Sequence, residues 1–309
     1  FIFHPREHGM FLIDRLRSSW VFLLRSFRPT VSGSGWITLA LILHPVWAGA
    51  VQPPPHWRFW LNEDGLGESC SNAVSVSPLG RVLVNHGHVA WMSLLDGYEV
   101  ANLPSPGVGV PVYETPAGIL WSIHSGGFQR YDHGADIRAG RWMPYSVPGI
   151  QNTTVPFFPV SKDRVIFLLP DRISRFDAAS HQTEILKSVA DTNLGAFNDW
   201  LALPAGEDTY DIWIGGRQGL ARTHLDDSGG RLSSWEEWLT PESYGLSEIS
   251  SLTAGDQGEI IATAFYFPTQ KRVLARFERQ SCRVLYENRA WDVARGWAGS
   301  DEALWIFHT

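Results

Sequence analysis

Residues 118–132 read GILWSIHSGGFQRYD: a glycine turn, an apolar strand reaching Trp121, a second turn at Ser125-Gly126-Gly127, and a strand carrying Arg130 and Asp132. The stretch returns along the chain. Its first half recurs as GRVL (80–83), RVIF (164–167), DIW (211–213), GEII (258–261) and ALW (303–305). The anchors are then Leu83, Trp121, Phe167, Trp213, Ile261 and Trp305, separated by 38, 46, 46, 48 and 44 residues. Its second half recurs as HVAWMS (88–93), RISRFD (172–177), GLARTH (219–224) and VLARFE (273–278). Arg130, Arg175, Arg222 and Arg276 thus share one repeat position, with Trp91 standing there in the first unit. The two halves lie 8, 9, 8, 9 and 15 residues apart, and an insertion around TAFYFPTQ (263–270) accounts for the last value.

Further out, EDGL (63–66) leads to NAVSVSPLG (72–80), and YGLSEISSL (244–252) leads to TAGDQG (253–258). Both read as a loop, an alternating strand and a polar turn closed by glycine. No stretch beyond residue 50 keeps a 3.6-residue apolar period for three turns. Strands repeating with a period near 44 indicate an all-β protein, a β-propeller of four-stranded blades. About five complete blades and the start of a sixth are expected over 57–309, a truncated propeller. A blade cannot bury both faces alone, so the anchors should wedge between neighbouring sheets. Gly80, Gly118 and Gly258 should serve the tight turns before the anchor strand.

Composition agrees. The 309 residues include 15 Trp, 29 Gly and 19 Pro, with only 18% charged residues, which argues against a disordered chain or long coiled coil. Two Cys exclude a disulfide framework and the cysteine-rich zinc motifs. The net charge of −7 hides five Arg against Glu7 and Asp14 in residues 1–50, leaving the remainder at −10 with 3 Lys. Such a body offers no cationic surface for nucleic acid.

The basic end needs its own reading. Arg15, Arg17, Arg25 and Arg28 precede the uncharged run GWITLALILHPVW (35–47) and Ala48-Gly49-Ala50, the pattern of an export signal over 1–50. The alternatives are an uncleaved anchor, though the run is shorter than the roughly 20 residues needed to span, and a cytoplasmic start. VQPPPH (51–56) reads as a stiff spacer. A periplasmic or extracellular body is expected, touching membrane only through the N-terminal segment or regions outside this chain.

The DGL-type lead, the D-x-x-G turn, the apolar-Trp strand and the GL-x-R-[YF]-D strand together resemble the two-component regulator propeller repeat, over roughly 57–309. The glycine and hydroxyl usual after the Trp survive only in part, as IGG at 214–216, and no kinase, receiver or DNA-binding motif is present. The resemblance implies the extracytoplasmic sensor part of a bacterial hybrid histidine kinase, inner-membrane anchored and homodimeric at full length. It implies ligand detection outside and phosphotransfer inside, with an oligosaccharide as ligand in some members. The segment itself is then not an enzyme and needs no cofactor. A secreted propeller lyase or glycan-cleaving enzyme, and a plain interaction scaffold, are the competing readings.

Candidate site residues follow. Phe265, Tyr266 and Phe267 sit in the insertion that breaks the repeat, and insertions in repeat proteins fall on a binding face. The repeated arginines read as structural, pairing with Asp132 or Asp177 or covering a neighbouring sheet, the alternative being a pocket lining for acidic or sugar ligands. His86, His124 and His308 share a position, but equivalent positions on adjacent blades lie too far apart for the ~2 Å bonds of one metal. Cys70 and Cys282 fall in units one and five and read as free buried thiols, the alternative being a disulfide between them. No catalytic set emerges.

Overall fold

The computed structural model describes residues 60–97, 99–134, 136–206, 209–226, 231–255, 258–278, 281–287, 293–298 and 304–308. The export signal and spacer read at 1–56, like the start of the first unit, lie outside them. The chain divides into two compact units between Ser69 and Cys70. In the first, the described residues hold one 3₁₀ turn, Asn62–Asp64, closed by Gly65 in the left-handed region.

The second unit is a ring of five four-stranded antiparallel blades followed by a two-stranded sheet, a β-propeller as expected. Blade 1 comprises β1 (Ser71–Val76), β2 (Val82–His86), β3 (Trp91–Asp96) and β4 (Glu99–Pro104). Blade 2 comprises β5 (Val112–Glu114), β6 (Leu120–His124), β7 (Gly127–Asp132) and β8 (Arg141–Ser146). Blade 3 is built from β9 (Phe157–Pro159), β10 (Arg164–Leu169), β11 (Arg172–Asp177) and β12 (Gln182–Ser188). Blade 4 follows with β13 (Phe197–Gly206), β14 (Thr209–Gly216), β15 (Gly219–Asp226) and β16 (Arg231–Leu239). Blade 5 has β17 (Leu246–Ala254), β18 (Ile260–Tyr266), β19 (Lys271–Glu278) and β20 (Ser281–Tyr286), and β21 (Val293–Ala298) pairs with β22 (Leu304–His308). Gly80, Gly118 and Gly258 take φ of 78°, 79° and 81° in the turns before the second strands.

The cores lie between blades. Leu83, Leu94 and Leu103 of blade 1 meet Val112, Leu120 and Tyr131 of blade 2. Trp121, Ile123 and Phe128 of blade 2 meet Phe157, Val165, Phe167 and Phe176 of blade 3. Ile166, Leu168 and Ile173 of blade 3 meet Ile212, Ile214 and Ala221 of blade 4. Trp213 and Leu220 of blade 4 pack with Leu246, Ile260, Ala262 and Val273 of blade 5, and Ile261 and Leu274 pack with Val293 and Ile306. Each interface buries large apolar side chains from both sheets, the dominant favourable term in folding.

Two repeat positions need correction. Leu83, Trp121, Trp213 and Ile261 all face the following blade, but Phe167 faces the preceding one, and Ile166 is the true third anchor. Strand pairing agrees: Trp121, Trp213 and Ile261 sit opposite Arg130, Arg222 and Arg276, and it is Ile166 that sits opposite Arg175. In blade 1 Leu83 pairs with Leu94, so Leu94 and not Trp91 holds the arginine position; Trp91 is exposed at the start of β3. Trp305 keeps the expected position on β22 but is 38% exposed.

Candidate functional site

The repeated arginines are all ion-paired, with partners other than those expected. Arg130 reaches across to Asp163 of the next blade while its guanidinium lies 5.9 Å from the Trp121 ring centroid. Arg175 pairs with Glu184, Arg222 with Asp211, and Arg276 with Glu259 at 3.8 Å. Arg222 also covers Trp213 at 5.5 Å. Asp177 is instead bound by Arg164 and by the backbone N–H of Ala179 and Ser180, and the Ser180 N–H is the main reason its carboxyl lies below the usual range.

His86 and His124 have separate partners. His86 is buried with Nε2 2.9 Å from Ser93 Oγ, and His124 is half-buried with Nδ1 2.9 Å from the Ser125 carbonyl oxygen. The side chain of His308 lies outside the described residues. Both cysteines are free; Cys282 is half-buried, whereas Cys70 is exposed rather than buried.

In each blade the turn joining second and third strands emerges on the same face as the connection to the next blade, because the four strands alternate in direction. The turns at Ser125-Gly126, Pro170-Asp171 and Arg217-Gln218 hold two residues. In blade 5 pairing runs out to Tyr266 opposite Lys271, so the insertion lengthens the hairpin and places Phe267–Gln270 at its tip. The tip is pinned: the Phe267 N–H donates to the Gly245 carbonyl at 2.9 Å, and Gln270 Nε2 donates to the Phe267 carbonyl at 2.8 Å.

Beside this hairpin a cavity of about 750 Å³ opens between blades 4 and 5, within the usual size range of small-molecule sites. Phe265 and Phe267 form its aromatic wall, edge to face with centroids 5.7 Å apart. Tyr266 points elsewhere, packing half-buried on the blade 4–blade 5 core. Leu239 and the short helix α1 (Pro241–Tyr244) supply a second wall, with Glu242 and Ser243 on the cavity. Arg217 and Gln218 come from the blade 4 turn, and Ser247 and Glu248 from β17. The turn is tight: a side chain on Gly219, whose φ is 154°, would put Cβ 2.0 Å from the Trp238 carbonyl oxygen.

Glu248 is the most constrained member. Its φ is 51°, its N–H donates to the Arg217 carbonyl at 2.8 Å, and its carboxylate lies between Arg217 Nε and Asn198 Nδ2, both at 3.2 Å. A non-glycine residue in the left-handed region costs of order 1–3 kcal/mol and persists where the surroundings over-determine it. Here it holds a carboxylate, and through it a guanidinium, at the mouth of the cavity. Sequence reasoning found the aromatic wall and missed this polar half.

A second polar feature lies along the innermost strands. Burial pushes the Asp199 carboxyl of β13 up, despite the Leu252 N–H donating at 3.1 Å and the attraction of Arg295 on β21. Burial likewise raises the Tyr113 phenol of β5, which also feels Arg295 and Asp199.

A β-propeller with a polar and aromatic inter-blade cavity is therefore the class of protein the fold defines. Among solved structures, the extracellular domain of a protein described as a hybrid two component system of B. thetaiotaomicron aligns with a TM-score of 0.53 and 14% identity, over 79% of this chain and 33% of that one. This chain thus spans about a third of that domain. Virginiamycin B lyase from Staphylococcus aureus aligns with a TM-score of 0.50 and 14% identity, over 76% of each chain. At such identities the likeness is one of fold. No protein-family model and no curated protein sequence matches the chain. Among the described residues no helix is long and apolar enough to cross a membrane.

Proposed function

We propose that the chain is the extracytoplasmic ligand-sensing propeller of a bacterial signal-transduction receptor, the sensor part of a hybrid histidine kinase that works as a homodimer. The observation that carries this reading is the cavity between blades 4 and 5, whose wall is the hairpin that the insertion lengthens. A residue kept in every blade serves the blades, whereas a feature confined to one interface serves something else. The cavity draws its lining from two blades, so a bound ligand touches both. It shifts the receptor between two states by its differential affinity for them. The exported body read from the sequence, and the fold shared with an extracellular two-component domain, agree with this role.

The experiment is a thermal-shift screen of the full chain against oligosaccharides and amino compounds. A ligand whose stabilisation disappears in Phe267→Ala and survives in Trp91→Ala supports the reading. A screen without ligands, or ligands indifferent to Phe267, sinks it. The axial trio of Asp199, Tyr113 and Arg295 favours a second reading, a secreted lyase or glycan-cleaving enzyme. Turnover of a glycan that is lost in Asp199→Asn would select it.

A further inference from the structure

Resting on the ligand-sensing reading, we propose that the cavity takes a zwitterionic amino compound with an apolar side chain, a free amino acid or a short peptide. The two charged poles are already placed. Arg217 spends Nε on Glu248, its side chain stays 61% exposed, and its two terminal nitrogens have no hydrogen-bond partner among the described residues. They are free to grip a carboxylate by the paired geometry in which guanidinium excels. Glu242, exposed on α1, has no hydrogen bond or ion pair among the described residues and faces the same cavity. It is the acceptor for an ammonium group. Glu248 is not available for that task, because Asn198 and Arg217 hold both its oxygens. It fixes Arg217 instead.

Between the poles stands the Phe265–Phe267 pair, with Phe267 44% exposed, a surface for an apolar side chain that also attracts a cation. Ligands with one pole fit less well. A simple anion gains Arg217 but meets the carboxylates of Glu242 and Glu248, and a simple cation gains Glu242 but meets Arg217. A neutral sugar leaves both charged groups unused.

Titration calorimetry on the full chain tests the assignment with five probes: L-phenylalanine, L-leucyl-L-phenylalanine, phenethylamine, 3-phenylpropionate and maltotriose. Phenylalanine or the dipeptide should bind, and the stronger of the two tells a free amino acid from a peptide end. Removing either pole should weaken binding by about tenfold or more, the usual worth of a hydrogen bond to a charged group. Arg217→Gln should weaken the zwitterion to a similar degree and spare phenethylamine, and Glu242→Gln should do so and spare 3-phenylpropionate. Because Arg217 also ties two blades together, the exposed Glu242→Gln keeps the test decisive if Arg217→Gln misfolds. Equal binding of the zwitterion and both single-pole analogues, or zwitterion binding indifferent to Glu242→Gln, overturns the proposal. Maltotriose binding that needs Phe267, with no binding of amino compounds, overturns it while leaving the sensor reading intact. No binding by any of the five overturns it too, and the sensor reading then rests on the wider screen.

Discussion

Trp121 offers the sharpest test of the inter-blade cores. Its side chain is fully buried between blades 2 and 3, and its indole Nε1 has no hydrogen-bond partner among the described residues. Truncation to alanine removes on the order of 200 Å² of buried surface, about 5 kcal/mol at 25 cal/mol per Å², and large-to-small aromatic changes typically cost about 3–5 kcal/mol. Arg130 also loses the ring beneath it. Trp121→Phe is a different experiment. The smaller ring loses about 1 kcal/mol of transfer free energy for roughly 40 Å² less buried surface and leaves a gap worth about 1 kcal/mol more at 24 cal/mol per Å³ for roughly 40 Å³. It also removes a desolvated N–H whose burial without a partner costs about 1–3 kcal/mol. Loss and gain nearly cancel, so the phenylalanine variant should lie within about 1 kcal/mol of the parent while the alanine variant loses at least about 3. Urea titration followed by far-ultraviolet circular dichroism reads both, provided m is unchanged. A phenylalanine variant as damaged as the alanine variant would refute the reasoning, because the indole N–H would then have to be satisfied.

Gly219→Ala should cost more than 3 kcal/mol or abolish soluble protein, because its Cβ would sit 2.0 Å from backbone oxygen, whereas Gly258→Ala, with nothing within 4 Å, should cost only the ~1–2 kcal/mol of its left-handed φ; comparable melting points for the two would contradict this. Burial pushes the Cys282 thiol up to about 12, and only the thiolate reacts, so a maleimide at pH 8 should label the exposed Cys70 and spare Cys282 until urea is added. Asp199 is ionised less readily folded than unfolded, so stability falls as pH rises from its unfolded pKa through its raised folded one. Asp199→Asn, which can still accept from Leu252, should therefore gain in urea stability at pH 7 and lose that advantage on acidification. An advantage that grows toward low pH would show that burial of the charge is not the cause.

Much of the fold can be read from residues such as Trp121 and Trp213, where a bulky aromatic follows a glycine turn at a steady interval. The phase failed where alternation fails. Five of the six residues of β10 (RVIFLL) are buried, so nothing along the strand tells Ile166 from Phe167. In β3 the size of Trp91 drew attention from Leu94, which does the packing. The arginine partners escaped because Asp163 lies 33 residues beyond Arg130 on another blade, and no local pattern announces that pairing. The same holds for the site. Phe265 and Phe267 were visible because they interrupt a rhythm, while Arg217 and Glu248 are 31 residues apart and become neighbours only when two blades meet.

The pairing of Arg217 with Glu248 gives the propeller a mechanical character. Blades 4 and 5 behave like two plates joined along an apolar seam and clasped at one rim, with the clasp lying at the mouth of a pocket. A ligand of the kind proposed above would compete with the clasp or tighten it, and its occupancy would become a small change of angle between plates. In the sensor proposed above, a change of angle at one seam of the ring would be taken up at others, so that the signal would pass without any blade changing its own fold.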